Sequence, residues 1–175
     1  MKLHHVQSYS RPGEVSQEML VKAIAEIESL PGELTETLSK LNAEQLATPT
    51  LPGKWTVSQV VHHIADSHMN AFIRCKLALT EDKPTIKPYE EAEWARKIDA
   101  GTAIPARVSA ELLTALHARW CLLLKSLSPE EWRRAYFHPE ARREFLMEEV
   151  ACLYAWHGRN HLAHIHELMK AKGWI

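Results

Sequence analysis

The sequence predicts an all-α protein, built as a four-helix bundle with one long crossover connection. Only six glycines occur among its 175 residues, and no stretch alternates apolar and polar side chains in the way of a β-strand. Apolar residues instead recur three and four positions apart, which is the spacing of a single helix face. Four such stretches, one of them followed by a long polar connection, are typical of a bundle with a crossover.

Chain length and composition predict a single domain that spans residues 1–175. Apolar residues make up 46% of the chain, which is enough for a core, and the formal net charge is −1. Such a charge gives no electrostatic reason to expect nucleic acid or an anionic membrane as a partner. No apolar run approaches the ~20 residues of a membrane-spanning helix, and the first residues lack the apolar stretch of a signal peptide. We therefore expect a cytoplasmic protein.

The first helix is expected to begin near Ser16. Pro31 and Gly32 fall inside its apolar pattern, and a proline in a helix interior removes a backbone hydrogen bond. The sequence therefore predicts that this helix is interrupted or ends near Pro31, although the apolar spacing continues to Leu41. A short helical turn follows, for which Asn42 can serve as the N-cap.

A second long helix is predicted from Thr56 to about Thr80. Thr56 and Gln59 have the form of a capping box, in which each side chain accepts a bond from a free backbone N–H group of the first turn. Residues 81–108 then contain three prolines and many charges, and they predict the long crossover with room for one short helix. Connections of this length are uncommon in compact domains and often have a function.

Two further helices complete the predicted bundle. The third spans about Ser109 to Leu127, and a short helix then restarts with Ser128 as its cap and Pro129 at its first position. The His138-Pro139 pair predicts an irregular segment. The last helix is expected from about Leu146 to Lys172.

The last helix contains the most informative pattern of the sequence, YAWHGRNHLAH. Its residues His157, His161 and His164 are four and three positions apart, so they share one helix face with apolar residues of the bundle seam. A polar group buried without a hydrogen-bond partner costs ~1–3 kcal/mol. A divalent metal ion removes this cost by ligating neutral imidazoles, and two histidines at positions i and i+4 can reach the same ion.

A third ligand is predicted on the facing second helix. At a rotation of about 100° per residue, His63 falls on a polar stripe that borders the apolar face. A polar stripe in that place lines an internal pocket. The predicted ligands of one divalent metal ion are therefore His63, His157 and His161. The neighbouring His62 and His68 are expected at the surface or around the ligands.

The remaining histidines are not predicted as ligands. His164 is favoured as a group that orients a substrate or a bound water, with metal ligation as the alternative. His166 lies on the face opposite His157 and is expected to be solvated. The sequence indicates no helical partner for His4, His5, His117 and His138.

With these residues identified, the chain resembles the DinB superfamily, and within it the YfiT-like metal-dependent hydrolases. One string that carries the likeness covers the second helix and the following loop, GKWTVSQVVHHIADSHMNAFIRCKLALTEDKPTIKPY. The other is LYAWHGRNHLAHIHEL in the last helix. Their spacing to the HARW segment of the third helix is also similar, and the resemblance covers most of residues 10–174.

The resemblance implies a DinB-like four-helix bundle, often a homodimer, that holds zinc or nickel through three histidines. Carried over by position, the ligands are the histidine before Ile64, which is His63, and the two in WHGRNH, which are His157 and His161. These are the residues already predicted from helix geometry. Zinc and nickel both suit imidazole ligands, so the sequence leaves the metal open.

Three protein ligands leave open coordination positions, which is the arrangement of a reactive metal site. Such a site can activate water, as in a hydrolase, or hold a low-molecular-weight thiol cosubstrate as thiolate, as in an S-transferase. Both reactions act on a small-molecule substrate, and the sequence does not decide between them. The chain contains no HExxH motif to fix a glutamate base beside a ligand, which favours thiol activation.

Three further side chains are candidates for catalysis or substrate recognition. Asp66 lies near the ligands by helical position and is either a base or an orienting group for an imidazole. Arg74 is a candidate for binding a substrate carboxylate, with a salt bridge to the acidic stretch 81–93 as the alternative. His164 is the third candidate. As a fourth ligand, His164 would instead indicate a non-catalytic, metal-stabilised bundle.

Overall fold

The structure is a computed structural model that describes residues 9–175. Its elements in chain order are α1 (Gln17–Ser39), α2 (Ala43–Leu46), α3 (Val57–Thr80), α4 (Glu91–Trp94), a 3₁₀ turn (Ile98–Ala100), α5 (Ala106–Lys125), α6 (Pro129–Trp132), β1 (Ala135–His138), β2 (Arg143–Leu146) and α7 (Met147–Ala171). His4 and His5 lie outside the described residues. Within residues 9–175, no helix combines the length and the apolar character needed to cross a membrane.

Four long helices form a bundle, as the sequence predicts. α1 and α3 each pack against both α5 and α7. α1 therefore lies diagonally across the bundle from α3, and α5 lies diagonally across from α7. The crossover at residues 81–105 joins the neighbouring helices α3 and α5. The prediction of a four-helix bundle with one long crossover is confirmed.

Buried apolar side chains form two clusters along the bundle. On each long helix a short segment separates the residues of one cluster from those of the other: 28–29 on α1, 66–70 on α3, 114–119 on α5 and 156–161 on α7. Three of these segments contain histidines, namely His68, His117, His157 and His161. A polar layer therefore divides the apolar core.

The helix caps follow the local sequence signals. The side chains of Asn42, Thr56 and Ser128 each accept a hydrogen bond from the backbone N–H three residues later, and each forms a capping box. The starts predicted for α3 and α6 are thereby confirmed. α5 begins at Ala106, three residues before the expected start, directly after Pro105.

Pro31 lies inside α1, so the expected break in the first helix is wrong. Ile27, Leu30 and Leu34 beside it are almost fully buried, with 0%, 1% and 0% exposure. Burial of each such side chain contributes about 1.5–3 kcal/mol, which together outweighs the ~3 kcal/mol that an interior proline costs. Packing of this face therefore carries the helix through to Ser39.

A β-hairpin replaces the irregular segment expected after His138. Strands β1 and β2 pair antiparallel with Tyr136 opposite Phe145, and the two rings stack with centroids 5.5 Å apart. Each strand has only four residues, which is too short to show an alternating pattern in the sequence. Cross-strand packing of aromatic side chains stabilises the hairpin instead.

Gly158 allows α7 to approach α1 closely. A Cβ atom at this position would overlap Cδ2 of Leu30 and would lie 3.4 Å from Cε1 of His68. Leu30 belongs to the buried core, so its displacement would disturb the packing around it. The absence of a side chain at position 158 therefore sets the distance between the two helices.

Replacing Gly158 with alanine should lower the free energy of unfolding by about 1–3 kcal/mol, because the added methyl group overpacks the α1–α7 contact. Urea denaturation measures this change. The matched control is Gly32→Ala, at an exposed helical position where an added Cβ meets nothing within 4 Å. That substitution should raise the free energy of unfolding by about 0.5–1 kcal/mol. Equal effects of the two substitutions would contradict a close approach at Gly158.

Candidate metal centre

Helices α3 and α7 bring the three predicted metal ligands together. One ring nitrogen from each of His63, His157 and His161 lies within 4.8 Å of the others. The Nε2 atoms of His63 and His157 are 3.3 Å apart. The i, i+4 spacing on α7 sets the rings of His157 and His161 edge to face with centroids 4.6 Å apart. The three imidazoles form a compact cluster in the polar layer of the core.

Burial keeps these imidazoles uncharged. Loss of solvent lowers the pKa of His63 to about 4. Loss of solvent, with His63 and His164 nearby, lowers the pKa of His161 to about 3. The pKa of His157 also lies well below its ordinary value, first because of burial and then because of His161 and His63. Neutral imidazole is the form that ligates a metal, so no proton has to leave at pH 7.

The donor set fits a divalent transition metal. Across residues 9–175, the only hydrogen-bond contact of His63 is with His157, and none is found for His161. Burial lowers the pKa values of both rings, and a polar group withdrawn from solvent is costly unless it gains a partner. An ion that prefers imidazole nitrogen removes that cost, and three such ligands hold it while leaving coordination positions open.

Two cavities reach the cluster. The larger, of about 530 Å³, is lined by His161 together with Trp55 and His164. The smaller, of about 190 Å³, is lined by His157 together with Arg74. A volume of several hundred Å³ is that of a small-molecule site. The cluster is therefore accessible to a small ligand.

His164 lies outside the histidine cluster. Its ring centroid is 6.5 Å from that of His161, and both side chains line the larger cavity. Burial lowers the pKa of His164, and the nearby Glu167 opposes this shift. A role in orienting a substrate or a water therefore stays the prediction for His164, with metal ligation as the alternative.

Arg74 is only 7% exposed, and it lines the smaller cavity. Its guanidinium donates one hydrogen bond, of 3.3 Å, to the carbonyl of Lys87 and lies 6.0 Å from the ring centroid of Tyr89. In the part of the chain that the structure describes, no salt bridge joins Arg74 to the stretch 81–93, so that alternative is wrong. Glu91 lines the same cavity. Burial raises the pKa of Glu91 above its ordinary value, and the charge of Arg74 opposes part of this rise.

Asp66 lies about one turn after His63 on α3, outside the histidine cluster. Loss of solvent, and then the charge of Asp99, raises the pKa of Asp66 to about 6. A carboxylate with a pKa near the working pH is suited to accept a proton. Asp66 therefore keeps both interpretations, as a base or as an orienting group.

Two further histidines extend the cluster into the core: His68, expected at the surface or around the ligands, and His117, for which the sequence indicated no partner. Nδ1 of His157 lies 3.2 Å from Nε2 of His68. Nδ1 of His68 lies 2.9 Å from Nε2 of His117, whose Nδ1 lies 2.6 Å from the carbonyl oxygen of Ile27. His68 is fully buried and contacts a predicted ligand, so of its two expected places, at the surface or around the ligands, the second is correct.

The sequence did contain a signal for His117. It lies on the buried face of α5 in line with Leu113, Trp120 and Leu124. A histidine in an apolar line needs polar partners inside the protein. The partner residues were not predictable, because they come from α1 and α3.

Two other histidines also have hydrogen-bond partners in the protein. The Nδ1 and Nε2 atoms of His62 lie 2.7 Å from Oγ of Ser109 and 3.1 Å from the carbonyl oxygen of Gly101. His62 therefore connects α3 to α5 and the crossover, away from the cluster. Nε2 of His166 lies 3.0 Å from Oγ1 of Thr37, and its ring is half-buried, so His166 is partly solvated as expected and also bonded to α1.

A comparison with protein families identifies the fold. The family model described as the DinB superfamily matches residues 26–165. The chain belongs to the DinB superfamily. The matched residues include the whole histidine cluster, and the resemblance seen in the two sequence strings is confirmed.

Curated relatives of this DinB chain match it over almost its full length. A protein of Oceanobacillus iheyensis named "putative metal-dependent hydrolase" is 49% identical over 162 residues, which is 93% of this chain and 92% of the relative. Proteins of the same name from Bacillus cereus strain 03BB102 and Bacillus thuringiensis subsp. konkukian are each 49% identical over 167 residues. Those alignments cover 95% of this chain and 94% of each relative.

Solved structures share the fold of this DinB chain. YfiT from Bacillus subtilis, described as "a probable metal-dependent hydrolase with an unusual four-helix bundle topology", is 41% identical. It superposes with a TM-score of 0.93 over 97% of both chains. The mycothiol-dependent maleylpyruvate isomerase is 18% identical, with a TM-score of 0.62 over 85% of this chain and 60% of the other. The latter likeness shows a common fold alone.

Replacing His63 with alanine should abolish tight binding of one zinc ion per chain, because two imidazoles remain where three converge. Metal analysis after zinc loading and desalting measures the stoichiometry. The matched control is His62→Ala, which removes the adjacent buried imidazole but leaves the cluster intact. It should keep one zinc ion, although it loses stability with its two hydrogen bonds. If the His63 variant retained zinc, or the His62 variant lost it, His63 would be the wrong member of the pair to assign as a ligand.

The free energy of unfolding of the metal-free protein should fall as the pH is lowered from about 7 to about 4. An unfolded histidine titrates near pH ~6.5, whereas the pKa values of folded His63 and His161 are about 4 and 3. The unfolded chain therefore binds more protons in this window, and each such histidine costs up to about 1.4 kcal/mol per pH unit. Urea denaturation after chelation measures the profile, which should be shallower in His63→Gln. A flat profile would contradict buried neutral rings.

Proposed function

We propose that this protein is a metal-dependent enzyme that hydrolyses a small molecule at the three-histidine centre. The cluster of His63, His157 and His161, with ring nitrogens within 4.8 Å of one another beside two cavities, is the observation that carries the proposal. Relatives at 49% and 41% identity, named as metal-dependent hydrolases, support the reaction class. Three ligands with open positions are also the arrangement of catalytic rather than structural sites.

The roles of the surrounding side chains follow from their positions. A divalent ion held by the three histidines would supply the Lewis acid that polarises the substrate and activates water. Asp66, with a pKa of about 6, is the candidate to accept a proton from that water. Arg74 binds a carboxylate of the substrate in the smaller cavity, and His164 orients the substrate in the larger one.

A second function, S-transfer with a low-molecular-weight thiol cosubstrate, is favoured by one observation. No carboxylate of the described chain belongs to the histidine cluster, so no base is fixed beside the ligands. A thiol with a pKa of ~8.5 loses its proton far more readily than water does. Thiol activation therefore makes smaller demands on a base than hydrolysis does.

A non-catalytic, metal-stabilised bundle would need a fourth protein ligand. His164 is the candidate for it. Its ring centroid is 6.5 Å from that of His161, and it lies outside the cluster. The cavity of about 530 Å³ beside these two rings supports an enzyme instead.

The identity of the metal and the assembly of the protein are further parts of the proposal. Imidazole ligands suit both zinc and nickel, so one ion of either metal per chain is proposed. The family resemblance supports a homodimer, which analytical ultracentrifugation would detect as a doubled mass. A cytoplasmic location is proposed from the sequence.

Hydrolysis and thiol transfer can be separated with the cobalt-substituted protein. The zinc-loaded protein should hydrolyse members of a panel of small esters and amides, stop after chelation, and recover when zinc is restored. Small thiols should leave the cobalt spectrum unchanged. A strong sulfur-to-cobalt charge-transfer band at neutral pH, with no hydrolysis of the panel, would replace the hydrolase with the S-transferase.

Replacing Arg74 with alanine should weaken binding of carboxylate-bearing ligands about 10-fold to 100-fold, because a charge-assisted hydrogen bond contributes ~1.5–3 kcal/mol. The measured quantity is KM for carboxylate-bearing members of the panel against their neutral analogues, for which KM should not change. The matched control is Arg119→Ala, since Arg119 also lies over an aromatic ring, at 5.3 Å from the centroid of Phe72, but outside the cavities. An equal loss for neutral and charged substrates would give Arg74 a structural role.

A further inference from the structure

The carbonyl group of Ile27 lacks its usual helical partner. In an α-helix this oxygen accepts a hydrogen bond from the backbone N–H four residues later, which here belongs to Pro31. Proline has no N–H group, so the bond cannot form. Ile27 is completely buried, and a buried carbonyl needs another donor. Pro31 thus frees an acceptor that points out of α1.

His117 supplies the missing donor. Its Nδ1 atom lies 2.6 Å from the carbonyl oxygen of Ile27. A carbonyl oxygen can only accept, so the proton of this bond is on Nδ1 of His117. The ring is only 1% exposed, and its hydrogen-bond partners among residues 9–175 are a carbonyl oxygen and another imidazole, so no anion is present to balance a second proton. Its Nε2 atom is left as an acceptor.

The proton positions of the next two rings, His68 and His157, follow from their hydrogen bonds. Nε2 of His117 accepts across 2.9 Å from Nδ1 of His68, so His68 carries its proton on Nδ1. Nε2 of His68 then accepts across 3.2 Å from Nδ1 of His157. The proton of His157 is on Nδ1 in turn. Its Nε2 atom, 3.3 Å from Nε2 of His63, is the unprotonated nitrogen that faces the cluster.

We propose that Pro31, through the freed carbonyl of Ile27 and the rings of His117 and His68, fixes the tautomer and the orientation of His157. His68 and His117 are positioning residues for this ligand, and Pro31 is the residue from which the chain of hydrogen bonds starts. The assignment of protons stands on the metal-free geometry. Only its consequence for metal affinity rests on the proposed function.

Aromatic packing around this chain of hydrogen bonds holds the imidazole rings in place. His68 stacks on His117 at a centroid distance of 5.0 Å. It also meets the rings of Trp120 and Tyr154 edge to face at 5.8 and 5.3 Å. Neither His63 nor His161 has a comparable partner for its second nitrogen among residues 9–175. The chain therefore preorganises one ligand of the three, which lowers the cost of assembling the site.

The proton positions can be read directly from metal-free protein labelled with ¹⁵N. Long-range ¹H–¹⁵N correlation spectra of imidazoles distinguish a protonated Nδ1 from a protonated Nε2. His117, His68 and His157 should all appear as Nδ1–H tautomers at neutral pH. A protonated Nε2 on any of the three would overturn the proposal. This result is independent of whether the protein has the proposed activity.

Zinc affinity tests the consequence. His117→Leu leaves Nδ1 of His68 without an acceptor, which permits His68 and then His157 to adopt the other tautomer. Competition with a chromophoric chelator should show about 10-fold to 100-fold weaker zinc binding. The matched control, His62→Leu, removes a buried histidine with two hydrogen bonds outside the chain and should bind zinc as the unaltered protein does. Unchanged affinity in His117→Leu, or equal weakening in both variants, would overturn the positioning role.

Pro31→Ala tests the start of the chain. It restores a backbone N–H group that competes with His117 for the carbonyl of Ile27. The Hδ1 resonance of His117 should move upfield, because its hydrogen bond weakens. An unchanged resonance would overturn the role of Pro31 as the start of the hydrogen-bond chain. The tautomers of the three rings would then be decided by their own spectra.

Discussion

The structure depends on a layer of uncharged imidazoles buried between two apolar clusters of the bundle core. Charging a ring in this layer would place a cation among desolvated groups, so burial holds the pKa values of the layer low. Neutrality has two consequences. Each ring has a lone pair that can ligate a metal, and each has a single proton, so that a hydrogen bond at one nitrogen determines the state of the other.

The residues that support this layer break local helix rules. Pro31 costs α1 a backbone hydrogen bond, yet it frees the carbonyl that His117 uses. Gly158 weakens the helix propensity of α7, yet it allows α1 to lie close beside His157 and His68. Both residues lower the helix propensity of their own helix at points where two helices and the histidine layer meet. Departures of this kind are expected near functional sites.

Much of this arrangement was predictable from the sequence, for definite reasons. His157 and His161 are four residues apart on one helix, so their shared face follows from helix geometry alone. The role of His117 and the hydrogen-bond partners of His68 were not predictable, because these bonds depend on how α1, α3 and α5 pack against one another. Packing against the rest of the core likewise overrode the helix-breaking tendency of Pro31. The hairpin was missed because four-residue strands carry too little pattern.

We propose that three imidazoles, and no other protein group, hold one divalent ion. X-ray absorption spectroscopy at the zinc edge of the zinc-loaded protein measures the ligands most directly. We expect the signal of three imidazoles with Zn–N distances of about 2.0–2.1 Å, together with one light atom from solvent. A fourth imidazole would indicate the closed site in which His164 is a ligand. A sulfur atom at about 2.3 Å would contradict the ligand set altogether.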